Sequence, residues 1–232
     1  MPQTFQFKRP DGASVSGHLA EAANPLGAIV VIQEWWGLND QIRGVAERFA
    51  QAGFTALVPD LYRGKSTVEE EEAHHLMTGL DFGGAASQDI RGALLHLKGL
   101  KLGSGKVGIT GYCMGGALTW LSAQASPEAD AAVVWYGMPP IQALDPASLK
   151  LPIQAHWAEQ DEFFGIDQVD ALEARLKEAG GVSYEGHRYL ARHAFANETA
   201  QGAGRIARTQ YDAAWAQQAW DRTMRFFGQH LA

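Results

Sequence analysis

Cys113 is the single cysteine of the 232-residue chain, and it lies in Gly111-Tyr112-Cys113-Met114-Gly115. The pattern is G-x-nucleophile-x-G, with a thiol in the position more often held by a serine hydroxyl. An apolar run at residues 106–110 precedes it and another at 115–125 follows, so the thiol is expected on a sharp turn from strand to helix. On such a turn a side chain at either glycine would collide with neighbouring backbone, and Gly116 adds further clearance. The first N–H groups of the helix would favour a thiolate and an oxyanion developing beside it. A free cysteine is ordinarily a small buried hydrophobe, and it is the setting that argues for a nucleophile here. Gly103-Ser104-Gly105-Lys106 lacks the spacing of a phosphate-binding loop.

A nucleophilic thiol needs a base, and the base needs an acid to orient it. On a nucleophile of this type the acid and then the histidine follow in the chain. Asp161, after the apolar run at 153–158, is the acid expected, with Glu159 and Glu162 as rivals. His193, in Arg192-His193-Ala194-Phe195, is the base expected. His156 and His187 fall inside strand-like runs, and His18, His96 and His230 look like surface positions. His74 and His75 are adjacent and would diverge on a helix, so no metal pair is expected, and no zinc or other cofactor.

These groups must be held at the ends of strands. Residues 4–9 and 14–20 alternate polar and apolar types around Pro10-Asp11-Gly12, the sign of a hairpin. Residues 27–33 (GAIVVIQ), 54–58, 106–110, 131–136 and 151–157 read as strands buried on both faces, with a last strand at 182–189. Helical spacing appears at 39–51, 86–98, 115–125, 168–179 and 205–231, and Glu69 to Glu72 read as the first turn of another helix. The sum is an α/β fold: a mostly parallel sheet of about eight strands in one domain, 1–232, with helices on both faces. Ligands in such sheets bind beyond the carboxyl ends of the strands, where Cys113, Asp161 and His193 all fall.

The net charge of −7, with 19 basic against 26 acidic residues and no basic run, argues against nucleic acid and anionic membranes as partners. The N-terminus lacks the pattern of a signal peptide and no run is long enough to span a bilayer. A lone thiol suits a reducing compartment, so a cytoplasmic protein is expected, a monomer by default.

The assembled residues resemble the dienelactone hydrolase (carboxymethylenebutenolidase) family of α/β-hydrolases over nearly the whole chain. The likeness runs through Gln33-Glu34-Trp35-Trp36-Gly37, Val58-Pro59-Asp60-Leu61-Tyr62, Gly111-Tyr112-Cys113-Met114-Gly115-Gly116, Tyr136-Gly137, Asp161 and His193-Ala194-Phe195-Ala196. The resemblance implies that Cys113 attacks a carbonyl, His193 is general base and acid, Asp161 orients it, and Glu34 helps form the thiolate. It implies an oxyanion hole from the backbone N–H groups of Trp35 and Met114, and a pocket lined by Trp36 and Tyr136. Family members that act on dienelactone hold its carboxylate with two arginines. Here Asn197 stands at one of those positions, and no arginine occurs between Arg63 and Arg91 to serve as the other. An arginine–carboxylate fork is hard to imitate with an amide. The expected substrate is therefore a small lactone or activated ester, neutral rather than carboxylated, unless Arg188, Arg192, Arg205 or Arg208 substitutes. Neutral aryl esters or activated phosphate esters are a weaker alternative. A ligand-binding protein without turnover, and a redox role for the thiol, are rivals from other classes.

Overall fold

The computed structural model describes residues 5–203 and 205–232. The hairpin is β1 (Phe5–Lys8) and β2 (Ser14–Ala20), and β3 (Gly27–Ile32), β4 (Phe54–Pro59), β5 (Val107–Tyr112), β6 (Ala131–Trp135), β7 (Ile153–Ala158) and β8 (Tyr184–Tyr189) follow. They form one sheet in the order β1-β2-β4-β3-β5-β6-β7-β8. The pairs β1–β2 and β2–β4 are antiparallel, and from β4 to β8 every pair is parallel. The order reverses at β3, which has β4 on one side and β5 on the other. Strand ends part at such a point and leave a crevice.

All six residues of β3 are buried. Ala28, Val30 and Ile32 face one core layer and Ile29 and Val31 the other, as a strand covered on both sides requires. One layer is closed by α1 (Asp40–Gln51) and α7 (Ala213–Leu231), through Phe49, Trp220 and Phe227. The opposite layer is closed by α4 (Arg91–Leu100), α5 (Met114–Ala125) and α6 (Ile166–Ala179), through Leu94, Leu118 and Leu172. The Asn39 side chain caps α1 by accepting from the Ile42 N–H at 3.1 Å. Among the described residues, no helix is long and apolar enough to cross a membrane.

Two helices differ from their sequence periodicity. The helical spacing at 205–231 yields a helix only from Ala213, where Asp212 accepts from the N–H groups of Ala214 and Trp215. The backbone ahead of that cap is used elsewhere: the Gln210 and Asp212 N–H groups donate to His193 O and Phe195 O, both at 3.0 Å. The spacing at 86–98 resolves into α3 (Phe82–Gly84), a π turn (Ala85–Ile90) and α4. Asp89 in the π turn is buried and takes both of its carboxylate oxygens to Arg63 Nη2 at 2.9 Å. The acidic start expected at Glu69 to Glu72 opens α2 (Glu70–Thr78).

Candidate active site

Cys113 caps the junction of β5 and α5 with φ +54° and ψ −117°, a backbone conformation that side-chain-bearing residues rarely adopt. The surroundings impose it. A Cβ on Gly111 would lie 2.1 Å from Gly115 O, one on Gly115 2.5 Å from Ile32 O, and one on Gly116 2.7 Å from Trp135 O. The glycines of the motif are thus demanded by contact with the first turn of α5 and with β3 and β6. Cys113 N–H donates to Trp135 O at 3.0 Å, and Cys113 O accepts from Gly116 and Ala117. The thiol itself stays partly exposed to a cavity.

His193 and Asp161 come from the loops after β8 and β7. His193 Nδ1 donates to Asp161 Oδ2 at 2.7 Å, with both side chains almost wholly buried. Asp161 Oδ1 accepts from the N–H groups of Phe163 and Phe164 at 2.8 and 3.0 Å. The rivals Glu159 and Glu162 are exposed, and Glu162 faces Arg192. With Nδ1 committed to Asp161, the imidazole has Nε2 left for the thiol. Burial works against a charged imidazole, but the neighbouring Cys113 and Asp161 outweigh it and push His193 up to about 10.

Glu34 lies after β3, buried at the wall of the cavity. Its Oε1 accepts from Tyr136 OH at 3.1 Å and its Oε2 from Asn197 Nδ2 at 2.8 Å. Asn197 cannot present its other face, because its Oδ1 accepts from Thr199 N–H at 2.9 Å and Thr199 Oγ1 at 2.7 Å. Burial raises the Glu34 carboxyl above its ordinary range; His193, Asn197 and Tyr136 oppose that shift without cancelling it.

The parallel register pairs Ile32 with Gly111. Trp35 and Met114 each lie three residues further on, in the segments that follow these two neighbouring strands. The Met114 N–H is the first of α5 and has no intrahelical acceptor.

The cavity above Cys113 measures about 1070 Å³. Trp36, Asn197, Trp35 and Met114 line it, but Tyr136 does not. The expectation that Tyr136 would line the pocket is corrected: its ring is fully buried among Tyr112, His193 and Phe195, and its hydroxyl is spent on Glu34. Nothing in the type or position of Tyr136 distinguishes a wall residue from one behind the wall. Sequence reasoning also missed Thr199, whose role exists only through Asn197. It missed Phe163 and Phe164, whose rings lie 4.7 and 5.8 Å from the imidazole; two adjacent aromatics starting two residues after Asp161 were the signal available.

Of the four arginines named as substitutes for a carboxylate clamp, only Arg205 lines the cavity. Its Nη1 is held by the carbonyls of Ile206, Ala207 and Thr209. Arg188 is paired with Asp170 and Glu173, Arg192 with Glu162, and Arg208 with Glu70.

A switch-point crevice, an elbow thiol and a buried His–Asp pair in this chain order define an α/β-hydrolase. The dienelactone hydrolase family model matches residues 15–231. The chain is 33% identical to "Protein usf" of Aquifex pyrophilus and 30% identical to a "Putative carboxymethylenebutenolidase" of Aquifex aeolicus, in each case over 100% of both chains. The chain belongs to the dienelactone hydrolase family, a family of ester and lactone hydrolases. A crystal structure of a dienelactone hydrolase-like promiscuous phosphotriesterase from metagenomic libraries shares the fold, with TM-score 0.84, 23% identity and 99% of each chain covered.

Proposed function

We propose that this protein hydrolyses small, uncharged lactones or activated esters through an acyl-enzyme on Cys113. The observation that carries the proposal is the partly exposed elbow thiol next to an imidazole held by Asp161 at 2.7 Å. Cys113 Sγ gives its proton to His193 Nε2 and attacks the carbonyl carbon, and the carbonyl oxygen takes the negative charge facing the Trp35 and Met114 N–H groups. The intermediate collapses as the carbon–oxygen bond to the leaving group breaks, and His193 Nε2–H gives its proton to that oxygen. Water then attacks the thioester while His193 takes one of its protons. The carbon–sulfur bond breaks, the acid departs, and the thiol–imidazole pair is restored. Glu34, whose burial strengthens its hold on a proton, assists thiolate formation as substrate arrives.

A neutral substrate is supported by Asn197, which is committed to Glu34 and Thr199 and carries no charge. Two experiments test the proposal. Cys113→Ala should lower kcat by about 10³-fold or more, and intact-mass analysis of the wild type mixed rapidly with an aryl ester should show an acyl adduct that Cys113→Ala lacks. Near-normal turnover in the variant removes the nucleophile assignment. Ester binding with no turnover in the wild type would make the chain a binding protein. Comparing kcat/KM for a dienelactone carboxylate and its methyl ester tests the charge preference: a tenfold preference for the acid would overturn the neutral substrate.

A further inference from the structure

The cavity is far larger than a small lactone ring needs, and one of its walls is the face of a helix. Met114, Ala117 and Leu121 all line it. At spacings of three and seven they share one face of α5. That face starts beside Cys113 and runs about 10 Å to Leu121 at the helical rise. Met77 and Phe82, ahead of α4, and Met138 and Pro139, after β6, also line the cavity. None of these seven side chains carries a charge, and three are thioethers, which adapt their shape to an apolar partner.

The machinery decides which part of a substrate enters this trough. The leaving oxygen must reach His193 Nε2, so the leaving group sits on the imidazole side, against Phe163 and Phe164. The carbonyl oxygen faces the Trp35 and Met114 N–H groups. The remaining substituent on the carbonyl carbon is the acyl chain, and it is directed away from His193 onto α5.

We infer that the trough along Met114, Ala117 and Leu121 is an acyl-chain subsite, and that the preferred substrates are aryl or similarly activated esters of unbranched medium-chain acids. The inference rests on Cys113 acylation as proposed above. At about 1.3 Å of advance per carbon–carbon bond, 10 Å accommodates roughly eight carbons. Leu121 ends the trough and sets the length limit.

The test is kcat/KM for p-nitrophenyl acetate, butyrate, hexanoate, octanoate and dodecanoate on the wild type, Leu121→Trp and Leu121→Ala. Burying each methylene is worth up to about fourfold, so the wild type should gain at least tenfold from acetate to octanoate and nothing further at dodecanoate. Leu121→Trp should leave acetate within about threefold and lower octanoate tenfold or more, so acetate turnover doubles as the control for folding. Leu121→Ala should move the optimum to a longer chain. Three results overturn the subsite: a flat or falling profile in the wild type, equal losses on acetate and octanoate in Leu121→Trp, or a preference for the adipate monoester over the neutral hexanoate. Failure of the Cys113 proposal reads differently, because Cys113→Ala would then keep its turnover of acetate and octanoate alike.

Discussion

Two buried carboxylates flank the site, each in a loop just after a parallel strand, and the chain treats them in opposite ways. Asp161, after β7, meets two backbone N–H groups and an imidazole. Glu34, after β3, meets only two neutral side-chain donors, Tyr136 OH and Asn197 Nδ2. Backbone amides and a directly bonded imidazole favour a negative charge strongly, whereas at Glu34 a phenol, an amide and His193 without a hydrogen bond compensate less for lost hydration. Asp161 is thereby part of what stabilises the fold. Glu34 is kept at some cost to stability, with its proton affinity raised by burial. Equal depth does not make two acids equivalent; their donors do.

The sharpest way to break this contrast is Asp161→Asn. An amide can present a donor to Nδ1 and favour the wrong tautomer, so kcat should fall by about 10⁴-fold. Stability should fall as well, with a pH dependence of defined sign. His193 stands near 10 in the folded protein, against about 6.5 for a free imidazole. The stabilisation from its charged form is complete below about 6.5 and is lost as the pH rises through about 10. The Tm gap between wild type and Asp161→Asn, measured by calorimetry, should therefore be widest near pH 6 and close toward pH 10. A gap that widens with pH would contradict the pairing.

Glu34→Gln should behave differently. Its amide can accept from Asn197 and donate to the Tyr136 oxygen, so the network survives without a charge. Acylation of Cys113 should slow by about 10²–10⁴-fold, the range of a general base, and its pH dependence should change. The folded protein holds the Glu34 proton more tightly than the unfolded chain, so the wild type loses stability as pH rises through that titration. Glu34→Gln escapes the loss and should melt higher than wild type at pH 8, with the advantage vanishing in acid. A variant both slow and less stable at pH 8 would erase the difference between the two carboxylates.

The smallest effect is expected from Tyr136→Phe. It removes one of two donors to Glu34 and raises the carboxyl further, so kcat/KM should fall by no more than about tenfold. The acid limb of the pH–rate profile should move to higher pH. A loss as large as that of Asp161→Asn would place Tyr136 in contact with substrate, against its position behind the cavity.

Much of this was legible because it is written locally. The glycines around Cys113, the β-branched run at 27–33 and the order Cys113, Asp161, His193 each depend on neighbours in the chain or on strand ends. The end of α7 was legible and its start was not: Trp220 and Phe227 carry the 3.6 periodicity, but the backbone of Gln210 and Asp212 is claimed by the loop around His193. Tyr136 and Asn197 were visible as candidates, yet their attachment to Glu34 joins residues 102 and 163 positions apart. No spacing rule reaches that far.

By itself, then, the sequence determined the kind of nucleophile, its order with acid and base, and the strand–helix alternation that brings them to one edge of a sheet. These follow from short-range sterics and periodicity, which any chain segment carries with it. Only the tertiary structure decided what surrounds each group: neutral donors for Glu34, backbone amides for Asp161, an apolar face of α5 open to the thiol, and arginines tied up outside or at the margin of the cavity. Burial and partner choice are properties of packed elements far apart in the chain, and they set the proton affinities and the shape on which the chemistry depends.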